Sequence, residues 1–533
     1  MKATRTGLAI LAAAALGLTA CGGGGGSSSG GGGGGGGNLV DGKTFTRAIA
    51  TDPGSLDPLL TVLSVTRSMD RFLYASLIDL APDGTVQSSL ANKWQADTTK
   101  ASFTLRKGIT CSDGSPLTAT QVADNINFVG DPKNKSPLLG LQVMPGTKAT
   151  GDDSANTVEV TSGAPDAFLL RNIGTLFIAC GKGLTDRSLL AKGQSGTGMF
   201  TISDAVANDH YTMTRRKNYT WGPGDFDPNQ KGLPDKVTFK VVQNETTSAN
   251  LLLSGQLNAA TILGPDQQRL LAQNLFHGDL LSPLGELWFN EGSGHPGSDP
   301  AVRKALTQAL DLKQVGKVLT NGRGKPSQGF VTVSPKPCSG DNVSGNLPDH
   351  DLSAAKSALD AAGWKAGAGG VRSKDGKKLA ITLMYGTQLG PTEASAAELI
   401  QQAWKGLGAD VTLKGVDSPG LNTLYFGTGA WDASMAPITL NLPSQLVPFV
   451  SGPVPPNGTN FAHLANKDYE SAVAAASTKA GSKGCDDWNK AEKALITAVD
   501  AVPYANAVAP TFGKNAKFTV SDDIDPTSIR MLG

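Results

Sequence analysis

Residues 379–413, LAITLMYGTQLGPTEASAAELIQQAWKGLGADVTL, carry three readable elements in a row. Leu379–Tyr385 has the apolar and β-branched content of a strand, Thr392–Leu407 reads as a helix, and Ala409–Leu413 alternates as a half-buried strand does. Strand, helix and strand within about 35 residues make a βαβ unit. Such a crossover implies a parallel sheet, so this part of the chain is an α/β lobe.

The same reading extends outward. Leu352, Ala355, Leu359 and Ala362 form a helical stripe closed by Gly363, and Trp488, Ala491 and Leu495 mark another helix. Asp299 suits an N-cap, Pro300 the first helical position, and Val302, Ala305, Leu306, Ala309 and Leu310 one buried face, so this helix is expected to be structural. In the N-terminal half, Lys43–Ala50 is strand-like and runs into the turns Asp52-Pro53-Gly54 and Leu56-Asp57-Pro58. Val65, Met69, Phe72, Leu73 and Leu77 then fall on one helical face. Asp83-Gly84 and Asp113-Gly114 are turns, and Ser102–Arg106 alternates as a strand. Thr118-Ala119-Thr120-Gln121 matches a capping box, with Val122, Ile126 and Val129 behind it. Both halves read as mixed α/β.

The ends of the reading lie at Met1. MKATRTGLAILAAAALGLTAC has Lys2 and Arg5, then an uncharged run from Gly7 to Leu18, then Leu18-Thr19-Ala20-Cys21. Positive start, short apolar core and small residues describe an export signal, 1–20, and the run is shorter than the roughly 18 residues a membrane span needs. Leu-Thr-Ala-Cys resembles the lipobox of bacterial lipoproteins, which makes Cys21 the expected acylation site. Gly22–Gly37 is glycine and serine only, a flexible coil spanning about 22 Å. Residues 21–37 are thus expected to be a leash holding the body near a membrane.

The body, 38–533, has room for two domains, and the formal net charge of the 533 residues is +1. No basic block or aromatic-basic interleaving points to nucleic acid. The five histidines are scattered singly and there is no C-x-x-C, so neither a metal nor a cofactor is expected. Gly37–Thr44 satisfies G-x-x-x-x-G-K-[ST], but a phosphate cradle needs a strand before it and a helix after it, and here a β-like stretch follows. Gly26–Gly30 fits G-x-S-x-G inside low-complexity linker, and Ser353–Lys356 fits S-x-x-K without the K-T-G or S-D-N partners. No catalytic constellation survives.

Leu56-Asp57-Pro58, Leu90-Ala91 with Trp94, Phe103–Gly108 (FTLRKG) and Ser112–Ala119 (SDGSPLTA) occur in an order and spacing that resemble one family. It is the oligopeptide and dipeptide type of extracellular solute-binding protein (family 5), the receptor subunit of ABC importers. Gly196-Thr197-Gly198-Met199-Phe200, Arg216–Tyr219, Lys236–Phe239, Leu252–Asn258, Trp288-Phe289-Asn290 and Asp299–Leu306 continue the likeness. The resemblance implies a two-lobe periplasmic-binding-protein-like α/β fold with mixed sheets, its lobes joined by crossover strands at a hinge. It places lobe 1 at 38–282, completed by 506–533, and lobe 2 at 283–505. Cys111, Cys180, Cys338 and Cys485 allow three pairings. Cys111 with Cys180 and Cys338 with Cys485 is preferred, because each pair then falls within one lobe.

The resemblance also implies a ligand site. Its first-lobe segment maps onto Val62, Leu63 and Ser64. Its second follows Trp431-Asp432 and runs through Met435, Ala436, Pro437, Ile438, Thr439, Leu440 and Asn441. Trp288 is a candidate for stacking on the ligand. Peptide-binding members carry an aspartate that pairs with the ligand's α-ammonium; its place here is taken by Asn441, and no acidic residue lies between Asp432 and Phe449. Free-amine anchoring is therefore expected to be weak, leaving longer or blocked peptides, or a neutral solute such as an oligosaccharide. The implied function is a lipid-anchored, monomeric receptor, facing the extracellular or periplasmic side, that delivers peptide or a related solute to an ABC permease and its ATPase. A secreted hydrolase is the alternative from another class, and a sensor or adhesion lipoprotein would need the same cleft.

Overall fold

The computed structural model describes residues 37–367, 369–387, 391–435 and 437–533. The expected signal, Cys21, the glycine/serine leash up to residue 36, and Ala436 lie outside the described residues.

The βαβ unit is Ala380–Gly386, the helix Pro391–Leu407 and Asp410–Val416, with the strands parallel from Ala380↔Asp410 to Gly386↔Val416. Ala396, Ala397, Ile400, Trp404 and Leu407 recur at helical spacing and are buried on the sheet side. Trp404 Nε1 donates to Leu306 O at 2.8 Å, tying this helix to Pro300–Gln308. The latter is capped as its sequence requires: the Asp299 carboxylate accepts from Ala301 N at 3.0 Å.

Two long antiparallel strands, Phe276–Phe289 and Ala501–Gly513, connect the halves. At one end Trp288 and Phe289 pair with Ser434 and Ala433, which lie beside Ala380–Gly386. At the other, Thr511–Gly513 pair with Ala259–Thr261, followed by Thr44–Ile49, Lys236–Val241, His210–Arg215 and Phe200–Val206. One sheet of eleven strands among the described residues therefore passes from lobe to lobe, and its register shifts between Pro283 and Glu286. A separate antiparallel sheet, Ala91–Ala96, Lys100–Leu105, Thr157–Thr161 and Lys148–Asp152, packs under the helix Ala119–Gly130. Lys43-Thr44 leads into the strand Thr44–Ile49, which removes the helix that a phosphate cradle requires.

The apolar core divides accordingly. One cluster draws on residues from Phe45 to Ala259 and again from Ala516 to Met531, and two others lie between Leu287 and Ala505. This is the two-lobe mixed α/β architecture with crossover strands. Disulfides join Cys111 to Cys180 and Cys338 to Cys485.

The helix after the Leu-Asp-Pro turn is shorter than its apolar pattern suggests. It spans Ser64–Leu73, and Tyr74 is already extended at φ −129°, so Leu77 reaches the core from outside the helix. Gly196-Thr197-Gly198 is the cause. Gly198 N donates to Leu73 O at 2.8 Å and Thr197 Oγ1 accepts from Ala75 N at 3.0 Å, so this segment satisfies the groups a further turn would have used. It lies so close that a Cβ on Gly196 would stand 2.1 Å from Leu73 O.

Candidate functional site

The Leu56-Asp57-Pro58 turn sets where the first-lobe wall begins. Buried Asp57 accepts from Leu59 N at 3.1 Å and pairs with Arg187, whose guanidinium lies 3.9 Å from the centre of the Phe128 ring. The chain then passes Val62, Leu63 and Ser64, all exposed, into the helix Ser64–Leu73. Thr66, Met69, Phe72 and Leu73 face inward. Arg67, Arg71 and Tyr74, one turn apart, line a cavity of about 1060 Å³ including its open mouth. Most of its wall belongs to lobe 1 and to the C-terminal residues Asp522 and Asp525; Pro335 and Asn441 come from lobe 2.

The cavity is electrostatically uneven. Arg71 pairs with Asp522, and Asp79, Asp523 and Asp525 stand near enough to hold its charge in place. Asp523 is itself taken by Arg47 at 2.6 Å and by Ser68 Oγ. Burial pushes the Asp79 carboxyl up to about 6, with Arg71 opposing. Arg67 is different. Its guanidinium lies 4.8 Å from the centre of the Phe177 ring, and its Nη1 is shielded from solvent with no acceptor among the described residues. Asp70, on the same helix, makes no hydrogen bond to it: both Asp70 oxygens are buried without a donor, and burial raises that carboxyl well above the usual range, with the Arg67 charge opposing. Arg171 donates only to carbonyls, Gly84 O at 3.5 Å and Pro335 O, and burial lowers it to about 10.

The lobe 2 wall hangs from the crossover strand. Glu286 Oε2 accepts from Ile438 N at 2.9 Å and from Trp288 Nε1 at 3.2 Å, and burial pushes its carboxyl up to about 8. Asp432 is spent on structure: it accepts from Thr382 N at 2.8 Å and pairs with His295 Nδ1 at 2.8 Å. Trp288, expected as a stacking surface, is 0% exposed between Phe330 and Phe461, each ring 5.3 Å away, with its N–H used by Glu286. It is a core residue, and so is Met435, equally buried under the sheet. Pro437 and Ile438 are half-buried and Thr439 is exposed, but of the expected contact residues only Asn441 lines the cavity. Arg67 and Arg71 were missed because only the apolar positions of their helix were read; their spacing of one turn was the available signal.

Beside the cavity the lobes touch directly. Phe168 is 1% exposed and packs with Cys338, Leu442 and Trp488 of lobe 2, its ring 5.9 Å from that of Trp488. Gly481 N donates to Ala167 O at 2.6 Å. Gly84, at φ +86°, meets Lys336 so closely that a Cβ would lie 2.3 Å from the Lys336 carbonyl oxygen. Among the described residues no group of three or more His, Cys, Asp or Glu is placed to hold a metal ion, and no helix is long and apolar enough to cross a membrane.

Two lobes on crossover strands with a polar cavity between them define the class of clamshell solute-binding proteins. Residues 85–452 match the family described as bacterial extracellular solute-binding proteins, family 5 Middle, and the chain belongs to that family. It is 25% identical over 509 residues to the periplasmic murein peptide-binding protein MppA of Escherichia coli K12, covering 87% of this chain and 88% of that one. It is 25% identical over 484 residues to the dipeptide-binding protein DppE of Bacillus subtilis 168, covering 85% and 84%. The crystal structure of the ABC transporter substrate-binding protein CtaP of Listeria monocytogenes superposes on it with a TM-score of 0.75 at 20% identity, over 92% of this chain and 99% of that one.

Proposed function

We propose that this chain is the receptor subunit of an ABC importer that captures short peptides in the interlobe cavity and presents them to a permease and its ATPase. It is exported, held to the membrane through acylated Cys21, acts as a monomer outside the cell, and makes or breaks no bond in its ligand. The observation that carries this is the cavity lined from both lobes. A solute touching both walls favours the closed form by its differential affinity for it. We place the hinge where Pro283 faces Asn506, with lobe 1 formed by 38–282 and 506–533 and lobe 2 by 283–505; the register shift at that point supports a bend there. Charges of both signs on the wall suit a zwitterion, and the relatives named for peptides support that class.

Mass spectrometry of what co-purifies with the chain, followed by thermal-shift titration with the same molecules, tests the reading. Peptides that raise the melting temperature by mass action are expected. Release of cleaved products would instead identify a hydrolase. Replacing Cys21 by alanine is expected to free the chain from the membrane fraction.

A further inference from the structure

We propose that the Cys338–Cys485 disulfide is a thiol-exchange site that controls the contact between the lobes, a clasp that an external dithiol opens. The proposal goes beyond the receptor reading and needs only the two-lobe fold and its seam. Two lobe 2 stretches far apart in sequence meet lobe 1 at the seam. In the first, Pro335 O accepts from Arg171, Lys336 O lies against Gly84, and Cys338 packs on Phe168. In the second, Gly481 N donates to Ala167 O, and Trp488, in the helix Cys485–Thr497, sets its ring 5.9 Å from that of Phe168. The disulfide joins these two stretches across 147 residues. Both sulfurs belong to lobe 2, so the bond does not tie one lobe to the other. It holds in one piece the surface on which Phe168 rests.

The other disulfide sets the contrast. Cys111 and Cys180 are 1% and 2% exposed within the lobe 1 core and take no part in the cluster around Phe168. Cys485 is half-buried, and beside it Pro337 and Lys483 line a groove of about 750 Å³, including its mouth, that Gly84 and Phe168 complete from lobe 1. Exchange requires a thiolate to reach a sulfur, so access favours the seam pair. The step is a two-electron reduction. A thiolate of the dithiol attacks Cys485 Sγ; the S–S bond breaks and its electron pair goes to Cys338 Sγ, which takes up a proton. The second thiol of the reductant, giving up its own proton, attacks the reductant sulfur of the mixed disulfide. Cys485 leaves as a thiol and the reductant as a cyclic disulfide. With the bond open, the two stretches are free to part, and Phe168 loses its fixed socket.

The test treats the full chain with dithiothreitol over time. Alkylation and mass spectrometry identify which cysteines are free, and X-ray scattering of the same samples reads the distance between the lobes. Cys338 and Cys485 are expected to be alkylated before Cys111 and Cys180, with a rise in the radius of gyration as they open and a return on reoxidation. The double variant Cys338→Ser/Cys485→Ser should show the larger radius without reductant and no further response to it. Cys111→Ser/Cys180→Ser should melt lower at the radius of the parent, which a bond with a purely stabilising role would do, and should still expand on reduction. Where a double variant does not fold, the reduction series on the parent chain decides. An unchanged radius in a chain whose Cys338 and Cys485 are free would overturn the proposal. So would opening of Cys111–Cys180 first, or resistance of both bonds to the dithiol.

Discussion

The two lobes face each other in two places, and the two are built on opposite principles. At the seam, Phe168 is enclosed by Cys338, Leu442 and Trp488, and the adjoining backbones meet through Gly481 N and Ala167 O. At the cavity a few residues away, arginines and aspartates line open space, Arg67 Nη1 makes no hydrogen bond among the described residues, and Arg171 donates only to backbone carbonyls. Apolar contact at the seam is closed by protein alone, whereas the charged wall pairs Arg71 with Asp522 but leaves Arg67 Nη1 with no acceptor among the described residues. The contrast teaches that, if the cavity is where the solute binds, lobe contact and solute recognition are separable: the seam holds the lobes near each other and the cavity wall meets the solute.

The largest expected effect breaks the seam. Phe168→Ala should cost about 3–5 kcal/mol of packing and let the lobes separate, seen as a lower melting temperature and a larger radius of gyration by X-ray scattering. An unchanged radius would show that the seam does not set the lobe distance.

Next comes the crossover strand, where Glu286 accepts from Ile438 N. Burial pushes the Glu286 carboxyl up to about 8 in the folded chain, whereas in the unfolded chain it ionises near its ordinary value of 4.5. The folded state binds more protons between those values, so stability is greatest below about pH 4.5 and falls as pH rises towards 8. Glu393, also raised to about 8 by burial, adds to the same slope. Glu286→Gln should flatten the dependence and gain on the order of 1–3 kcal/mol at pH 8 relative to the parent. Chemical-denaturant midpoints from pH 5 to 8 measure this; an identical slope in the variant would remove Glu286 from the account. A smaller effect, about 1–2 kcal/mol, is expected for Gly84→Ala, which forces a side chain onto the Lys336 carbonyl at a positive φ. It should shift the scattering curve in the direction of Phe168→Ala.

What the sequence made legible follows the same division. The βαβ unit, the Asp299 cap and the Thr118 cap were readable because periodicity and caps are local, and the structure has them, but the box expected at Thr118 forms only by half: Thr118 Oγ1 accepts from Gln121 N, while Gln121 Oε1 is buried with no partner among the described residues. The Leu-Asp-Pro turn was recognisable, but not that Asp57 would be buried against Arg187, 130 residues away. The cavity wall was the hardest to read. Asp79, Arg171 and Asp522 come from three distant stretches and share no pattern, and only the fold places them around one space. Trp288 misled for a related reason: an aromatic residue in a signature segment looks the same whether its strand ends in the core or at the cleft.

The smallest effect concerns the position where the family's usual acid is replaced. Asn441 does line the cavity, and it can donate or accept a hydrogen bond without neutralising an ammonium. If lobe 2 contributes no charge there, N-acetylation of a bound peptide should cost the parent chain less than about threefold, near the lower end of what one neutral hydrogen bond is worth. Asn441→Asp should raise that cost to about tenfold by supplying a counter-charge on the lobe 2 side. Calorimetry with free and acetylated pools makes the comparison. A strong preference of the parent for the free amine would move the amine site to the opposite wall, where Asp79 and Asp525 already stand beside Arg71. In that case the amine would be read by lobe 1, and lobe 2 would act as a cover.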